Sequence, residues 1–375
     1  MKFVCNGILL ADAALTVSKA CSVRTTLPVL ECIKISAKND VVKLTSYDGE
    51  ISIERAMRAD VLEEGDICVN GKFFSDFVGK IQEESIVIAG DESGINIHYG
   101  DCVSTMQTLS AEDFPSFNKT EGEEYFEIRE KDFKDLISRT IFCCATDDSR
   151  PILKGCLLET VDNTLQASAL DGFRMAVSSI AIQGGSGNLK MVVPARALNE
   201  ISRMMDGGDD VIKIFVNKNT LSVGVKDTVL KSKLYLGDFV SANKIYPTAF
   251  ETIVYADKEE LIESIERASI VVRGDKNNLV LFEITSNGIT IRANSEIGKM
   301  QEFVRADLEG KDLHIAMNGK FIMDALKAVD CKGEQKEGEE RKVKLSFNSS
   351  VSPFTVQADG DHVSCYLIVP VRANG

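Results

Sequence analysis

The chain is 375 residues long, 44% apolar and 27% charged, with 43 basic against 57 acidic residues and a net charge of −14. The length predicts two or three domains, and the apolar fraction supplies real cores and excludes wholesale disorder. The acidic balance argues against coating nucleic acid by bulk electrostatics, yet it leaves room for a local basic surface. No run approaches the ~18 uninterrupted apolar residues of a membrane-crossing helix, and Met1-Lys2-Phe3-Val4-Cys5-Asn6-Gly7 turns polar too early for a secretory signal. Ten cysteines show no C-x-x-C spacing. Most lie in apolar runs such as Ile141-Phe142-Cys143-Cys144 and read as reduced core residues of a cytoplasmic protein.

In chain order, Phe3 to Lys19 reads as a strand followed by a helix. Val42-Lys43-Leu44-Thr45 and Ile51-Ser52-Ile53-Glu54-Arg55 alternate apolar and polar residues about the turn Tyr47-Asp48-Gly49, the pattern of a hairpin with one buried face. Val69-Asn70-Gly71-Lys72-Phe73-Phe74 ends a strand and opens an amphipathic helix. The series restarts with a strand and helix from Phe126 to Thr140, then Asp171-Gly172, Val193-Pro194-Ala195-Arg196-Ala197-Leu198, and a hairpin about Asn217-Lys218-Asn219. It starts a third time from Val254 to Ala268, where Leu261, Ile262, Ile265 and Ala268 have helical spacing. Ile289-Thr290-Ile291-Arg292 and Met317-Asn318-Gly319-Lys320-Phe321-Ile322 follow.

The three helix-opening segments begin at Val69, Val193 and Met317, each 124 residues after the last, and Asp113-Phe114-Pro115 matches Asp238-Phe239-Val240 at 125. The chain is therefore expected to be an α+β protein of three tandem copies of one domain, spanning 1–120, 121–247 and 248–375. Linkers are expected at 119–125 and 243–251, and a solvated hairpin loop at 332–342. A unit of that length is too long for an ordinary solenoid and suits closed quasi-symmetric assembly.

Residues for catalysis are sparse. The three histidines, 98, 314 and 362, are isolated, and His314 reads as a core or edge residue. There is no G-x-S-x-G, H-E-x-x-H or P-loop; Gly184-Gly185-Ser186-Gly187 lacks a following Gly-Lys-Ser and reads as a flexible loop. Asp147-Asp148 and Asp209-Asp210 are carboxylate pairs of the kind that solvated loops carry, so neither a metal nor a cofactor is expected. One charge pattern does recur: Lys72, Arg196 and Lys320 share a register, with Lys80, Arg203 and Lys327 following about two helical turns later. It reads either as ordinary exposed charge, partly neutralised by Asp76, Glu200 and Asp324, or as basic helix faces turned toward a polyanion.

Six segments in order carry a resemblance: Met1-Lys2-Phe3, Arg24-Thr25-Thr26-Leu27-Pro28-Val29-Leu30, Leu109-Ser110-Ala111-Glu112-Asp113-Phe114-Pro115, Ala169-Leu170-Asp171-Gly172-Phe173-Arg174-Met175-Ala176, Val193-Pro194-Ala195-Arg196-Ala197-Leu198, and Tyr366-Leu367-Ile368-Val369-Pro370-Val371-Arg372. Together they span the chain, which resembles the bacterial sliding clamps, the β subunits of replicative DNA polymerase. The resemblance implies a head-to-tail ring of two chains, with helices lining a central hole and antiparallel sheets outside. It implies a non-catalytic replication factor that encircles duplex DNA, without sequence preference, and tethers the polymerase and the clamp loader through their short linear peptides.

By matching residues, the family's peptide pocket is expected between Leu153, Leu170, Gly172, Phe173, Arg174 and Met175 on one wall and Val351, Leu367, Ile368, Val369, Pro370, Val371 and Arg372 on the other. Val240, Lys244 and Ile245 are further members. Phe239-Val240-Ser241-Ala242 departs from the family's Phe-Pro-Asp-Tyr, Phe173 stands where the family commonly has His, and Ala373-Asn374-Gly375 extend the tail. Arg24 and Arg150 join Lys72, Lys80, Arg196, Arg203, Lys320 and Lys327 as expected DNA contacts, with Pro151 and Ile152 where some members have aromatic residues. Met106, Ile270 and Val271 mark the expected dimer interface, near Ser104. The competing readings are a metal- or thiol-dependent enzyme using Asp147, Asp148 or a cysteine, and a scaffold of repeated domains unrelated to DNA.

Overall fold

A computed structural model of the chain describes residues 1–115, 124–240, 245–247, 249–275, 277–331 and 342–372. Six α-helices occur among them, two per repeat: α1 (Gly7–Ser18), α2 (Gly71–Val78), α3 (Glu130–Ser138), α4 (Ala195–Met204), α5 (Lys258–Val271) and α6 (Gly319–Ala328). The helix starts keep the sequence period, because the same local chemistry recurs. The Asn70 side chain accepts a hydrogen bond from Phe73 N–H at 3.0 Å, and that of Asn318 accepts from Lys320 and Phe321 N–H at 2.9 and 3.3 Å. Such caps satisfy amides that a helix leaves open at its first turn. The corresponding middle position is Pro194, whose side chain has no acceptor. Glycine follows both Asn caps because the chain passes close by: a Cβ at Gly71 would lie 2.4 Å from Cys21 Sγ, and one at Gly319 2.9 Å from Val280 Cγ2.

The turns are equally local. Asp48 Oδ1 accepts from the N–H groups of Glu50 and Ile51, and Gly49 adopts φ +101°. Asp171 Oδ1 does the same for Phe173 and Arg174, with Gly172 at φ +96°. A positive φ of this kind favours glycine. The hairpin Val211–Val216 and Thr220–Val225 closes through Asn217.

Two compact units result. The first comprises Met1–Lys131, Gln183–Ser186 and Asn199–Leu234, and the second Asp132–Ile182, Gly187–Leu198 and Tyr235–Gly375. In the first unit a five-stranded antiparallel sheet accompanies a ten-stranded one, in which Ile51–Arg58 of the first repeat pairs with Thr228–Lys233 of the second. In the second unit a four-stranded sheet accompanies a nine-stranded one, in which Arg174–Ala181 pairs with Ser364–Ile368 of the third repeat. The middle repeat thus gives strands to both large sheets. In the first unit α1 packs on α2, and in the second α5 packs on α6. Phe3, Leu10 and Phe74 of the first unit and Leu261, Ile265, Ile322 and Leu326 of the second are fully buried, each worth roughly 1.5–3 kcal/mol over exposure.

Several expectations need correcting. Ile262 is half-buried and lies off the α5 core face, where Ser264 is buried instead. Gly184–Gly185 is a short strand, pairing with Phe126 and Glu127, rather than a loose loop. A Cβ at Gly185 would stand 2.7 Å from Tyr125 O, so glycine there serves close strand approach. Lys80 lies beyond the end of α2 and is not on the helix. No disulfide joins the ten cysteines, and Cys102 is exposed rather than buried. No helix among the described residues is long and apolar enough to cross a membrane. The linker at 119–125 and the loop at 332–342 fall largely outside the described residues, as do positions 243, 244 and 248 of the linker at 243–251.

Candidate functional site

The two expected pocket walls meet through one strand pair. Arg174–Ala181 runs antiparallel to Ser364–Ile368, placing Met175 opposite Leu367 and Arg174 opposite Ile368. On its other side the same strand pairs with Thr164–Leu170, placing Leu170 opposite Met175. Leu170, Met175 and Leu367 therefore lie side by side on one sheet face. Leu153, from the short 3-10 turn Pro151–Lys154, packs against them with Leu157, Val192 and Phe239. Ile152, Val177, Tyr235, Ile245 and Tyr246 form the half-buried margin of this cluster. The Tyr246 hydroxyl donates to Cys365 O at 3.0 Å, tying that margin to the strand.

Alternation along strands sorts the expected residues, because successive side chains face opposite sides of a sheet. Met175 and Leu367 face the cluster. Arg174 and Ile368 face the other way; Ile368 is 1% exposed and fills the core beneath. Arg174 is no cationic rim. Its Nε lies 3.0 Å from Asp171 Oδ2, its NH1 group 2.6 Å from Asp324 Oδ2 on α6, and its NH2 group donates to Phe142 O at 2.8 Å. The guanidinium also sits over the Phe142 and Phe321 rings, 5.5 and 4.5 Å from their centroids. Burial works against its charge, yet the two carboxylates hold its pKa above the ordinary arginine value. The geometry makes Arg174 a clamp between the Asp171–Arg174 turn and α6.

That turn carries Phe173 outward, 62% exposed, and its ring stacks on Phe321 at 6.4 Å. Val369 N–H donates to Phe173 O at 2.8 Å and Val371 N–H to Ala316 O at 2.9 Å, so the tail is pinned at both ends. Val369, Pro370 and Val371 are half-buried, while Arg372 and Val351 are exposed. Val240, exposed, follows the buried Phe239. Lys244 and Ala373-Asn374-Gly375 lie outside the described residues. Leu153, Leu170, Met175 and Leu367 are themselves buried, none more than 6% exposed, so what this arrangement offers to apolar side chains of an extended peptide is its half-buried margin beside an exposed aromatic ring and a pinned strand edge.

Sequence reasoning missed three contributors: Phe239 in the floor, Phe321 under Phe173, and Asp324 against Arg174. The period held a clue for the first, since Phe114, its counterpart 125 residues earlier, is likewise buried. No local signal marked the other two.

The basic positions are exposed throughout. Lys72, Arg196 and Lys320 are each the second residue of a helix, and Arg203 and Lys327 lie in the last turns of α4 and α6. Arg24 and Arg150 are in exposed loop segments. Arg203 pairs with Glu200 at 2.9 Å and Lys327 with Glu266 at 2.8 Å. Asp324, read as a neutralising residue, instead turns to Arg174. A cation at a helix N-terminus opposes the helix dipole by roughly 0.3–1 kcal/mol. Three such residues in one register therefore do not serve helix stability.

Met106 ends the edge strand Cys102–Met106 and is only 5% exposed, whereas Val103 on that edge is 58% exposed. Ile270 near the end of α5 is 57% exposed and Val271 is half-buried. Ser104 lies 3.1 Å from the Tyr99 hydroxyl. The carboxylates of Asp147 and Asp148 do not converge: the first accepts from Ser149 N–H at 2.9 Å and the second pairs with Lys154 at 2.7 Å. Among the described residues no three His, Cys, Asp or Glu side chains form a metal-binding group.

Three family profiles match the chain in succession: the N-terminal domain of the DNA polymerase III beta subunit over residues 1–118, its central domain over 127–240, and its C-terminal domain over 243–372. A beta sliding clamp of Halalkalibacterium halodurans is 30% identical over 387 aligned positions, covering 99% of this chain and all of that protein. The solved DNA polymerase sliding clamp of Bacillus subtilis superposes with a TM-score of 0.93 at 28% identity, covering 100% of this chain and 99% of the other. A putative DNA polymerase III beta subunit from Eubacterium rectale superposes at 0.92 and 31% identity, covering both chains fully.

Proposed function

Because the chain belongs to the DNA polymerase III beta subunit family, we propose that it is the processivity clamp of a bacterial replicase, a non-catalytic ring that encircles duplex DNA and tethers polymerase. The ring is a head-to-tail homodimer of modules spanning 1–120, 121–247 and 248–375, and it works in the cytoplasm. Partner proteins, the polymerase and the clamp loader among them, enter by short linear peptides. Their apolar side chains sit over Leu153, Leu170, Met175 and Leu367, with Phe173 at the rim. The observation that carries the peptide site is the pairing of Met175 with Leu367, which joins two distant stretches of chain in one apolar cluster with a half-buried margin. Lys72, Arg196, Lys320 and the other exposed cations make weak phosphate contacts. Such contacts suit sliding, since geometry rather than adhesion holds the DNA.

Two measurements test this. Light scattering of the purified chain should give twice 41.0 kDa. After loading, protein should stay on closed circular DNA and be lost when the circle is cut. A monomer at micromolar concentration that leaves circles and linear DNA equally fast would falsify the proposal.

A further inference from the structure

The outward face of the four-stranded sheet holds a cleft of about 480 Å³, bounded by strands Leu279–Thr285, Gly288–Ser295 and Leu313–Asn318 and by Val351, Val371 and Arg372. Two cross-strand pairs set its chemistry. Leu281 stands opposite Arg292, and Glu283 opposite His314. Leu281 is 40% exposed and shares this face with Phe303, which is 53% exposed, so the face has an apolar component.

The charges favour an acid. Glu283 is the one carboxylate in the lining, and Arg292 already holds it at 2.8 Å. Arg372 has no ion pair among the described residues, and His314 is exposed beside it in the same lining. On a chain of net charge −14 this is a local cationic surplus over an apolar wall. The cleft borders the tail that carries the proposed peptide site, because Val371 and Arg372, which follow Leu367 closely in the chain, line it.

We propose that this cleft receives acidic residues flanking the apolar anchors of a clamp-binding peptide, so that one partner segment crosses the tail and sets a carboxylate between Arg372 and Arg292. The assignment rests on the peptide site proposed above. It adds a charge preference that the apolar floor cannot supply, since an apolar surface does not distinguish acidic from neutral flanks.

The test uses the full chain and synthetic fluorescent peptides with Leu and Phe anchors, read by anisotropy at low salt. One peptide has Gly-Ser flanks; two others have a Glu pair before or after the anchors. One of the Glu peptides should bind about 5- to 20-fold tighter than the Gly-Ser peptide, and the gain should fade with added salt. Leu281→Glu puts a carboxylate in the cleft, and Arg292→Gln releases the one at Glu283. Either should cut the gain to about twofold or less while leaving the Gly-Ser peptide's affinity unchanged. Equal binding of all three peptides overturns the cleft assignment and leaves the peptide site standing. So does a gain that survives both substitutions in protein with a normal melting curve. If no peptide binds the unsubstituted chain, the peptide site itself is wrong, and the cleft assignment goes with it.

Discussion

Arg174 shows how one residue can serve the site without touching a ligand. Its guanidinium is 10% exposed and satisfied by two carboxylates and a carbonyl. Arg174→Ala leaves Asp171 and Asp324 facing each other without their cation, and breaking a pair of this kind costs ~3 kcal/mol. Urea unfolding should register that loss; a change below about 1 kcal/mol would mean the carboxylates find water instead. Phe173 is the opposite case. It is exposed, so Phe173→Ala should shift stability by less than about 0.5 kcal/mol yet weaken binding of an anchor peptide, and unaltered affinity would remove Phe173 from the site. The thiols divide in the same way. Burial pushes Cys32 up to about 11 and Cys5 and Cys68 up to about 12, so at pH 8 only about 0.1% or less of each is reactive thiolate. Cys102 is exposed. The fast phase of thiol titration in the native protein should therefore shrink in Cys102→Ser and disappear when the half-buried Cys331 is also replaced by Ser, and its persistence in the double variant would point to opening of a core.

At the scale of elements, the N-caps and the register pairs matter most. Asn318 starts α6, which supplies Phe321 to the Phe173 stack, Asp324 to Arg174, and the exposed Lys320 and Lys327. Asn318→Ala removes the acceptor for two amides and should cost ~1 kcal/mol, seen as a lower midpoint in denaturant. The same substitution at Asn70 should cost a comparable or smaller amount, because its side chain caps α2 through one amide, that of Phe73. A cap loss confined to one of the two would show that the repeats are not energetically equivalent. The strand Ser364–Ile368 has two faces: it fills the core through Ile368, and Leu367 lies in the apolar cluster of the proposed peptide site. Truncation within it must therefore damage the core as well as the site, and point changes at the exposed rim separate the two.

For the whole molecule, net charge and basic register act at different ranges. A chain at −14 repels DNA at a distance, and the exposed cations act only near contact. Retention on closed circles should therefore change little between about 0.05 and about 0.5 M salt, whereas direct association with linear duplex should fall steeply over that range. Combined Lys72→Ala, Arg196→Ala and Lys320→Ala should weaken the second and spare the first. Loss of both together would mean that adhesion, and not enclosure, holds the protein to DNA.

The triplication, the helix starts and the tight turns were all legible in the sequence, because each depends on residues within a few positions of one another. Asn70 and Asn318 cap the helix beside them, and Asp48 and Asp171 close the turn they stand in. The apolar alternation of Val42–Thr45 or Ile212–Val216 needs only a two-residue period. The peptide site was legible only as a family resemblance. Its residues come together through pairings such as Ser178 with Ser364, whose hydroxyls lie 2.8 Å apart although 186 positions separate them. Local periodicity carries no information about which strands pair at that distance, and register alone decides that Met175 and Leu367 face the floor while Arg174 and Ile368 do not. Gly184–Gly185 misled for the same reason: its glycines permit looseness, and a neighbouring strand takes it away. The amino-acid order by itself determined three like modules with their turns and basic helix starts; only tertiary packing decided which of their apolar faces became core and which stayed exposed.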